Sequence, residues 1–357
     1  MSGAPPTRAP IRYKRTMASA GLTVAVTGPT GDLGISIVNA LEHSRAVARV
    51  VGMARRPFDP AERGWRKTEY RQGDVTDAAS VNDLAKGADV VVHLAFAILS
   101  AGDATREVNV NGSRMVFEAA ANAGAKRICY ASSVAAYGFH DDNPDWLTED
   151  IPPRGSPEHP YSHHKAEVER VLGEVLLRRR RTVAYVFRPC IVAGPEARTM
   201  LHAIPYFRLG EAMPATVTRL LSLMPALRPV IPDPGTRFQL VHEDDVASAF
   251  IAGVRGVGEP GPYNLAAGGT LTFSDVADAL GWYSVPVPRL AVEATAEIVS
   301  RIPLLPASVG WIHSVRKPVL MKTDRARKEL RWRPKHTAKV VLHEMAQAER
   351  TEPAAAR

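Results

Sequence analysis

Short apolar segments alternate with longer amphipathic segments through the first half of the chain. The short segments have the length and apolar content of buried β-strands, and the longer ones place apolar residues at helical spacing. The predicted strands cover residues 22–26, 49–53, 68–72, 90–94, 127–131 and 182–187. The predicted helices cover residues 31–41, 78–84, 104–123 and 162–178. This alternation predicts an α/β fold with a doubly wound parallel sheet and a ligand crevice at the carboxyl ends of its strands.

The pattern changes after Gly194-Pro195. Residues 196–234 are rich in leucine, methionine and proline and contain few acidic residues, and a second segment of this kind runs from about 286 to 321. A strand and a helix are predicted between them, over residues 238–255. The two irregular segments are therefore assigned to a second, smaller lobe that contributes to substrate binding.

The boundaries of the predicted domains follow from these segments. Residues 21–195 with about 236–268 form the sheet domain, and residues 196–235 with about 269–340 form a discontinuous C-terminal substrate lobe. Residues 1–20 are rich in Pro, Ala and Arg and lack the apolar core of a secretory signal. We expect a disordered basic tail there, and Met17 is a second candidate for the first residue of the protein.

Composition and charge favour a globular protein that acts on a small molecule. Apolar residues make up 45% of the chain and charged residues 23%, the balance usual for a protein with a buried core. The net charge is +8, but the tail holds four basic residues and no acidic one. The arginine run at 178–181 ends a predicted helix, where cations complement the helix dipole. A solvated helix end is favoured over a nucleic-acid patch, and no nucleic-acid partner is predicted.

The two cysteines and the lengths of the apolar runs bear on location. Cys129 and Cys190 lie in or just beyond predicted buried strands and have no metal-ligand spacing. They indicate a reducing compartment more than a disulfide framework, and no metal site is predicted. No segment reaches the roughly 18 consecutive apolar residues of a membrane span. A cytoplasmic protein without stable membrane insertion is expected.

A glycine-rich loop joins the first predicted strand to the first predicted helix. Gly28 can form the tight turn, Gly31 lets the backbone approach a pyrophosphate, and Gly34 lets the helix pack closely on the sheet. Phosphates would bind at the helix N-terminus, where unpaired N–H groups favour negative charge. The loop therefore predicts a dinucleotide site, against the alternative of an ordinary strand-to-helix connection. The candidate binding residues are Thr27, Gly28, Thr30, Gly31, Asp32, Leu33 and Gly34.

A tyrosine and a lysine four residues apart carry the candidate chemistry. Tyr161 and Lys165 lie on one face of a predicted helix. An ammonium close to a phenol favours the phenolate, so we expect Lys165 to lower the pKa of Tyr161 and to let it exchange a proton with a hydroxyl or carbonyl. Such pairs are also common on protein surfaces. Ser133, at the end of the fifth predicted strand, can stabilise a carbonyl oxygen, and turn capping is its alternative role.

These motifs together resemble the extended branch of the short-chain dehydrogenase/reductase superfamily, the NAD-dependent epimerase/dehydratase family, from about residue 22 to 335. The glycine spacing G-x-x-G-x-x-G and the order of the motifs carry the resemblance. It implies a Rossmann fold and a nicotinamide cofactor, with Ser133, Tyr161 and Lys165 as catalytic residues. The pattern S-S-x-x-x-Y-G selects Ser133 over Ser132, and Lys165 would also hold the nicotinamide ribose.

The same resemblance assigns further cofactor contacts. The family places an aspartate at the adenine after the third strand, backbone groups after the fourth, an asparagine in the following helix and a loop near the nicotinamide after the sixth strand. The matching residues here are Asp74 with Val75, Leu94 and Ala95, Asn109, and Arg188. The asparagine has a structural alternative, since its side chain can bridge backbone groups. Residues 241–247, 263–266 and 331–334 match further family motifs.

The end of the second predicted strand bears on the choice of cofactor. NAD-preferring relatives place an acid there, but this chain has Ala54 followed by Arg55 and Arg56. A guanidinium beside the adenosine ribose can pair with a 2′-phosphate and gains little from a hydroxyl. NADP is therefore predicted as the preferred cofactor over NAD. The alternative is that both arginines are solvated loop charges.

Two positions depart from the nucleotide-sugar enzymes of this family. Ile191 replaces an asparagine, and Phe238 replaces a diphosphate-binding arginine, with Arg237 displaced by one residue and so turned to the other face of a strand. With the apolar lobe, these changes favour an oxidoreductase acting on an apolar carbonyl or alcohol. The alternative for the leucines and methionines of the lobe is that they only pack it onto the sheet. A nucleotide-sugar epimerase or dehydratase that recycles its cofactor is the alternative, and a non-catalytic NADP-sensing protein is the second. The resemblance also implies a homodimer through helices 104–123 and 162–178.

Overall fold

The structure is a computed structural model of the chain. It describes residues 21–98, 102–197, 230–288 and 318–351, with side chains up to residue 347. The predicted tail at 1–20 lies outside the described residues, as do most of segment 196–235 and most of segment 286–321.

A seven-stranded parallel sheet forms the centre of the molecule, as the alternating pattern predicted. Its strands are β1 (Leu22–Thr27), β2 (Val47–Ala54), β3 (Thr68–Gln72), β4 (Val90–His93), β5 (Arg127–Ala131), β7 (Val183–Pro189) and β11 (Gly261–Leu265). Their order across the sheet is β11-β7-β5-β4-β1-β2-β3. From β1 the chain adds β2 and β3 on one side and then crosses back to add β4, β5, β7 and β11 on the other side. The gap between β1 and β4 is therefore the switch point, where a Rossmann sheet binds its ligand.

Helices cover both faces of the sheet. The described helices of eight or more residues are α1 (Asp32–His43), α2 (Ala78–Ala85), α4 (Ser113–Asn122), α5 (Pro160–Arg178), α6 (Glu243–Arg255), α7 (Phe273–Leu280) and α9 (Ala338–Thr351). Two shorter ones are α3 (Asp103–Arg106) and α8 (Asp324–Glu329). The helices α1 and α6 share one apolar core with the sheet, and α2, α4 and α5 share a second core on the opposite face. Both layers are thus buried against the sheet.

The observed strand ends lie within two residues of the predicted bounds, with β3 and β5 matching them at both ends, and one predicted helix is interrupted. Residues 104–123 form α3, then a π-helical turn at Glu107–Gly112, then α4. The sequence pattern did not identify this turn, because all three pieces have the same apolar spacing. It also did not identify β11 as a strand, since Gly261 and Pro262 begin it.

Short strands and the C-terminal helices build a third core beside the sheet. The strand pairs are β8 (Ile191–Ala193) with β10 (Leu240–His242), β9 (Val230–Asp233) with β12 (Tyr283–Pro286), and β6 (Trp146–Leu147) with β13 (Leu320–Met321). Apolar residues from β8, β9, β10, α7 and α9 form this third core. Of these elements, β9 and α7 belong to the segments predicted to form the lobe, whereas β8 and β10 belong to the predicted sheet domain and most of α9 lies beyond residue 340.

The C-terminal segment is tied to the start of α6 by a buried carboxylate. Asp245 is 2% exposed and accepts hydrogen bonds from the backbone N–H groups of Lys335 and His336, at 2.8 and 3.1 Å. The indole N–H of Trp332 donates to the Asp245 carbonyl at 2.8 Å. These bonds hold residues that follow α8 against the sheet domain.

Three further sequence expectations concern the arginine run, the two cysteines and membrane spans. The arginines at 178–181 are exposed at the end of α5, as predicted for a solvated helix end. Cys129 and Cys190 are buried free thiols. Among the described residues, no helix has the length and apolar character needed to span a bilayer.

Candidate active site

The glycine loop has the geometry that its sequence predicted. Gly28 has φ +71°, and a Cβ there would lie 3.0 Å from the Ala95 nitrogen. A Cβ on Gly34 would lie 2.1 Å from the Gly28 carbonyl oxygen, so only glycine lets α1 begin this close to the turn. At Gly31 the nearest atom would be 3.7 Å away. Gly28 and Gly34 are therefore required by packing, while Gly31 leaves open space at the N-terminus of α1.

The open space lies at the switch point of the sheet. Gly31 is the N-cap of α1, and Thr30 and Gly31 are exposed at the carboxyl end of β1. Asp32 and Leu33, in the first turn, are half-buried. Backbone N–H groups of this first turn favour an anion, so the position suits a pyrophosphate.

A chain of buried polar groups fixes the loop that follows β4. Thr27 Oγ1 accepts the backbone N–H groups of Leu94 and Ala95, at 3.2 and 3.3 Å, and lies 2.7 Å from His93 Nδ1. His93 Nε2 lies 2.8 Å from Ser113 Oγ. Burial lowers the pKa of His93 to about 3, so the ring is neutral and links the two hydroxyl groups. The sequence analysis did not single out His93 as a site residue, although it directly precedes Leu94.

Asn109 holds the same loop from the π-helical turn. Its side-chain oxygen accepts the Ala97 N–H at 2.7 Å, and its side-chain nitrogen donates to the Ala97 carbonyl at 3.0 Å. Asn109 is fully buried. Of its two expected roles, the structure displays the bridging of backbone groups, which places the β4 loop at the edge of the crevice.

The residues expected at the adenosine end lie at the ends of β2 and β3. Asp74 is half-buried and accepts the N–H and hydroxyl of Thr76 through one carboxylate oxygen, at 2.9 and 2.8 Å. Val75 is buried. Arg55 and Arg56 are exposed, and no ion pair involves them within the described ranges. Both arginines directly follow the end of β2 at Ala54. In a Rossmann fold the end of the second strand is where the adenosine ribose binds.

Tyr161, Ser133 and Lys165 come together at the carboxyl end of β5. Ser133 lies near enough to Tyr161 to lower the pKa of the phenol, and Ser133 Oγ accepts the Ala135 N–H at 3.2 Å. Lys165 is 4% exposed and donates from Nζ to the Ala131 carbonyl at 2.7 Å. The strand β5 is two places from β1, which separates this cluster from the glycine loop by about 10 Å. The distance leaves room for the ribose and ring of a nucleotide.

The direction of the tyrosine pKa differs from the sequence expectation. Burial raises the pKa of Tyr161, and the nearby Ser133 side chain opposes that rise. The same burial lowers the pKa of Lys165 to about 7, with the charge of Glu169 acting against it. The expectation counted only the ammonium, whereas enclosure of both groups disfavours both charged forms. Tyr161 therefore holds its proton at neutral pH.

The side chain of Arg188, a predicted cofactor contact, is paired with a buried acid in the structure. Its Nε and Nη2 donate to the Glu169 carboxylate at 2.9 and 2.6 Å, and both side chains are buried. The guanidinium carbon lies 4.6 Å from the centre of the Tyr137 ring. The side chain is therefore engaged beneath α5. A sequence motif places an arginine at a strand end but does not reveal which acid it meets.

Aromatic rings surround the Tyr161 side chain. Phe96, from the β4 loop, meets the Tyr161 ring edge-on at a centroid distance of 5.6 Å, and its face lies 3.6 Å from Lys165 Nζ. The ring of His159 lies 6.4 Å from Tyr161 and 5.3 Å from Phe139. These neighbours were not predicted from the sequence, because they lie in separate parts of the chain. Phe96 follows β4, Phe139 lies in the loop after β5, and His159 is the N-cap of α5.

The two positions that depart from the nucleotide-sugar enzymes are also visible. Ile191, at the start of β8, is 37% exposed. Phe238 packs against Phe273 beside the third core, with ring centroids 5.6 Å apart, while Arg237 is exposed. The displaced arginine and Phe238 thus face different surroundings, as the one-residue shift predicted.

One cluster of possible metal ligands is found in the described residues. Atoms of His242, His336 and Glu344 lie within 4.8 Å of one another. His242 Nδ1 accepts the Asp244 N–H at 3.1 Å as the N-cap of α6, so its proton lies on Nε2, 3.4 Å from Glu344 Oε2. His336 Nδ1 lies 2.9 Å from Asp245 Oδ2. The polar atoms are thus engaged with protein partners that join α9 to α6.

Solved structures with known ligands have the same fold. WbmG of Bordetella bronchiseptica, solved in complex with NAD, has a TM-score of 0.68 at 19% identity, covering 95% of this chain and 97% of that one. MoeE5, solved with UDP-glucuronic acid and NAD, has a TM-score of 0.66 at 20% identity, covering 92% and 99%. At this level of identity the likeness concerns the fold.

Sequence relatives extend over most of the chain. An uncharacterized protein of Mycobacterium tuberculosis is 26% identical over 329 residues, covering 88% of this chain and 80% of the relative. Sterol demethylase protein B of Methylococcus capsulatus is 31% identical over 182 residues, covering 49% of this chain and 52% of that protein. The model of the NAD dependent epimerase/dehydratase family matches residues 24–266, which include the glycine loop, the β5 cluster and β11. The chain is therefore a member of the NAD dependent epimerase/dehydratase family, a family of nicotinamide-dependent enzymes within the extended short-chain dehydrogenases/reductases.

Proposed function

We propose that this protein is an NADP(H)-dependent reductase/dehydrogenase that interconverts an apolar carbonyl compound and its alcohol. The observation that carries the proposal is the cluster of Ser133, Tyr161 and Lys165 at the end of β5, across the switch point from the glycine loop. Titratable groups gathered in a crevice of this kind are suited to proton transfer.

Each of the three clustered residues has its own role in the proposed reaction. A bound nicotinamide supplies the hydride that reduces the carbonyl carbon. Tyr161 donates its proton to the carbonyl oxygen, and Ser133 donates a hydrogen bond to that oxygen as charge develops. Lys165 holds the ribose hydroxyls. Since burial raises the pKa of Tyr161, the proton is present at neutral pH, and the resting site is prepared for reduction.

The preference for NADP rests on the end of β2. Ala54 offers no carboxylate to the ribose hydroxyls, while Arg55 and Arg56 are exposed beside that position. A 2′-phosphate would pair with these cations, whereas a carboxylate there would repel it. The open backbone at Gly31 and the half-buried Asp74 fit the pyrophosphate and the adenine.

The apolar substrate is argued from the residues around Tyr161. Phe96 and His159 surround the phenol, Ile191 replaces a polar residue, and the diphosphate arginine is displaced. An apolar pocket with a few placed polar groups binds apolar ligands well. The name of one partial relative, Sterol demethylase protein B, points to the same class of substrate.

A nucleotide-sugar epimerase or dehydratase is the second candidate. It is favoured by neighbours of the same fold, such as MoeE5 solved with UDP-glucuronic acid and NAD and the UDP-glucose 4-epimerase of Thermotoga maritima solved with UDP-glucose. In that reaction the cofactor is regenerated in each turnover. A non-catalytic NADP sensor is disfavoured, because sensing requires none of Ser133, Tyr161 and Lys165.

One screen separates the two enzymatic candidates. Ketosteroids, aromatic aldehydes and sugar nucleotides are incubated side by side with NADPH and the protein, and absorbance and products are followed. We expect loss of NADPH absorbance with an apolar carbonyl and none with sugar nucleotides. Conversion of a sugar nucleotide without a net change in absorbance would instead establish the epimerase or dehydratase.

A further inference from the structure

Three consecutive residues at the end of β5 each contact a different residue of α5. The Ala131 carbonyl accepts from Lys165 Nζ at 2.7 Å, the Ser132 hydroxyl donates to Glu169 Oε1 at 2.5 Å, and Ser133 lies near enough to Tyr161 to lower its pKa. Along α5 the three contacted residues, 161, 165 and 169, are spaced four residues apart, which is about one helical turn. Glu169 is therefore on the same face of α5 as the two expected catalytic residues.

The Glu169 carboxylate is held rigidly in a buried position. Arg188 on β7 donates to both of its oxygens, at 2.9 and 2.6 Å, and Ser132 supplies a third hydrogen bond. The side chains of Glu169 and Arg188 are 8% and 3% exposed. Bidentate pairing with a guanidinium fixes both the position and the orientation of a carboxylate. The Glu169 carboxylate thus lies one turn beyond Lys165 on α5, paired with Arg188.

Lys165 is enclosed by rings and by few charged groups. Its Nζ lies 3.6 Å from the centre of the Phe96 ring, which favours a cation. The titratable and charged groups around it are Tyr161 and Glu169 on α5, His93 on β4, Tyr130 on β5, and Arg188 with Tyr137 behind Glu169. Glu169 is the one carboxylate among these residues, and it can stabilise the Lys165 ammonium. The His93 ring is neutral and adds no charge.

We propose that Glu169, fixed by Arg188 and Ser132, is a positioning residue that keeps Lys165 in its ammonium form where the nicotinamide ribose binds. This inference rests on the proposed function for the role of Lys165, and it assigns Glu169 and Arg188 a joint electrostatic task. Glu169 acts through Lys165 and needs no contact with the substrate.

The direction of the pH effect follows from the surroundings of Lys165. Burial lowers the pKa of Lys165 to about 7, and the Glu169 charge opposes that effect. The cation is therefore present below this pH and is lost as the pH rises through it. Without the negative charge the pKa falls further, so the cation is lost at a lower pH.

The test measures NADPH binding against pH in the full-length protein. Cofactor fluorescence titrations from about pH 5.5 to 9.5 give the midpoint at which affinity falls. We expect Glu169→Gln to move this midpoint down by about one pH unit. Glu174→Gln is the matched control, because Glu174 is on the same helix, 40% exposed and paired with Arg114. The control is expected to leave the midpoint unchanged.

A second variant covers the case in which the single change unfolds the protein. Glu169→Gln leaves Arg188 buried without its counter-ion, whereas Glu169→Gln with Arg188→Met removes both charges and is far better tolerated. A smaller downward shift is expected in this double variant, because loss of the Arg188 cation behind Glu169 partly offsets loss of the carboxylate. Glu169→Asp, which keeps the charge, is expected to restore a midpoint close to the wild type.

The possible outcomes separate the two proposals. A wild-type protein that fails to bind NADPH or NADH would overturn the proposed function. Wild-type binding with a pH midpoint that stays the same in a folded charge-free variant would overturn the role of Glu169 and leave the proposed function standing. A lower midpoint in both charge-free variants, with rescue by aspartate, would support it.

Discussion

At the scale of single residues, enclosure sets the protonation of the candidate site. Burial raises the pKa of Tyr161 and lowers that of Lys165 to about 7. Both groups are thus neutral in moderately alkaline solution, the phenol with its proton and the amine without its charge. As the pH rises, the site is therefore expected to lose activity first through deprotonation of Lys165, because burial raises the pKa of Tyr161 and lowers that of Lys165.

Replacement of Tyr161 tests the proton donor. Tyr161→Phe removes the hydroxyl and keeps the ring that packs against Phe96. We expect turnover of the identified carbonyl substrate to fall by about 100-fold or more, with NADPH affinity little changed. Turnover and cofactor titration are measured on the same preparation. Unchanged turnover would remove Tyr161 from the mechanism.

Replacement of Arg55 tests the choice of cofactor. Arg55→Ala is expected to raise the NADPH dissociation constant roughly tenfold and to leave that of NADH nearly unchanged, because only the 2′-phosphate pairs with the guanidinium. Arg45→Ala is the control, since Arg45 is exposed at the opposite end of the same strand. Equal loss of affinity for both cofactors would contradict the assignment to the 2′-phosphate.

At the scale of elements, two glycines in the turn from β1 to α1 are under different constraints: Gly34 is packed against the backbone, and Gly31 faces open space. A Cβ at Gly34 would meet a carbonyl oxygen at 2.1 Å, whereas one at Gly31 would meet its nearest atom at 3.7 Å. The two glycines are three residues apart, yet only one of them is constrained by the protein itself. The open space at Gly31 is what the close approach of a phosphate would require.

Alanine at these two positions should give different results. Gly34→Ala is expected to destabilise the fold by roughly 1–3 kcal/mol through overpacking, measured as a loss of unfolding free energy in urea. Gly31→Ala is expected to keep the wild-type stability and to weaken NADPH binding. Each variant serves as the control of the other. A destabilised Gly31→Ala protein would show that its backbone is also needed for packing.

The strands, the glycine turn and the long helices were predictable because each is specified locally. β1 and β5 each contain a short buried apolar run, at residues 24–26 and 128–131, and α5 begins at Pro160, a favoured first helical residue. The π-helical turn, the capture of Arg188 by Glu169 and the rings around Tyr161 were not predictable. They depend on pairs of residues that are distant in sequence, such as Asn109 with Ala97 or Phe96 with Tyr161.

At the scale of the whole molecule, a few buried polar links join the third core and the C-terminal segment to the sheet. Gln239 exchanges hydrogen bonds with the backbone of Met321, at 2.7 and 3.3 Å. Asp245 binds the backbone after Trp332. The family motifs at 241–247 and 331–334, which the sequence analysis matched separately, thus meet in the fold.

The Asp245 link is tested by its removal. Asp245→Ala leaves the N–H groups of Lys335 and His336 without their acceptor, and we expect a loss of roughly 2–4 kcal/mol of unfolding free energy. Asp244→Ala changes the neighbouring acid, whose side chain is 68% exposed, and is expected to have little effect. Urea denaturation of both variants makes the comparison, and equal stability would show that the C-terminal segment is held by its apolar contacts.

The π-helical turn at Glu107–Gly112 has a consequence for insertions and deletions. Such a turn holds about one residue more than an α-helical turn, and each helical residue rotates the chain by about 100°. Loss of a single codon within it, for example that of Asn111, would allow one uninterrupted α-helix to form. The α-helical turn with one residue fewer would rotate the chain by about as much as the π-helical turn does, so the residues before the deletion would keep nearly the same orientation relative to the apolar face of α4. Asn109, however, would move and release the loop beside the crevice. A one-residue deletion here is therefore compatible with a continuous helix, and its damage falls on the loop that Asn109 holds.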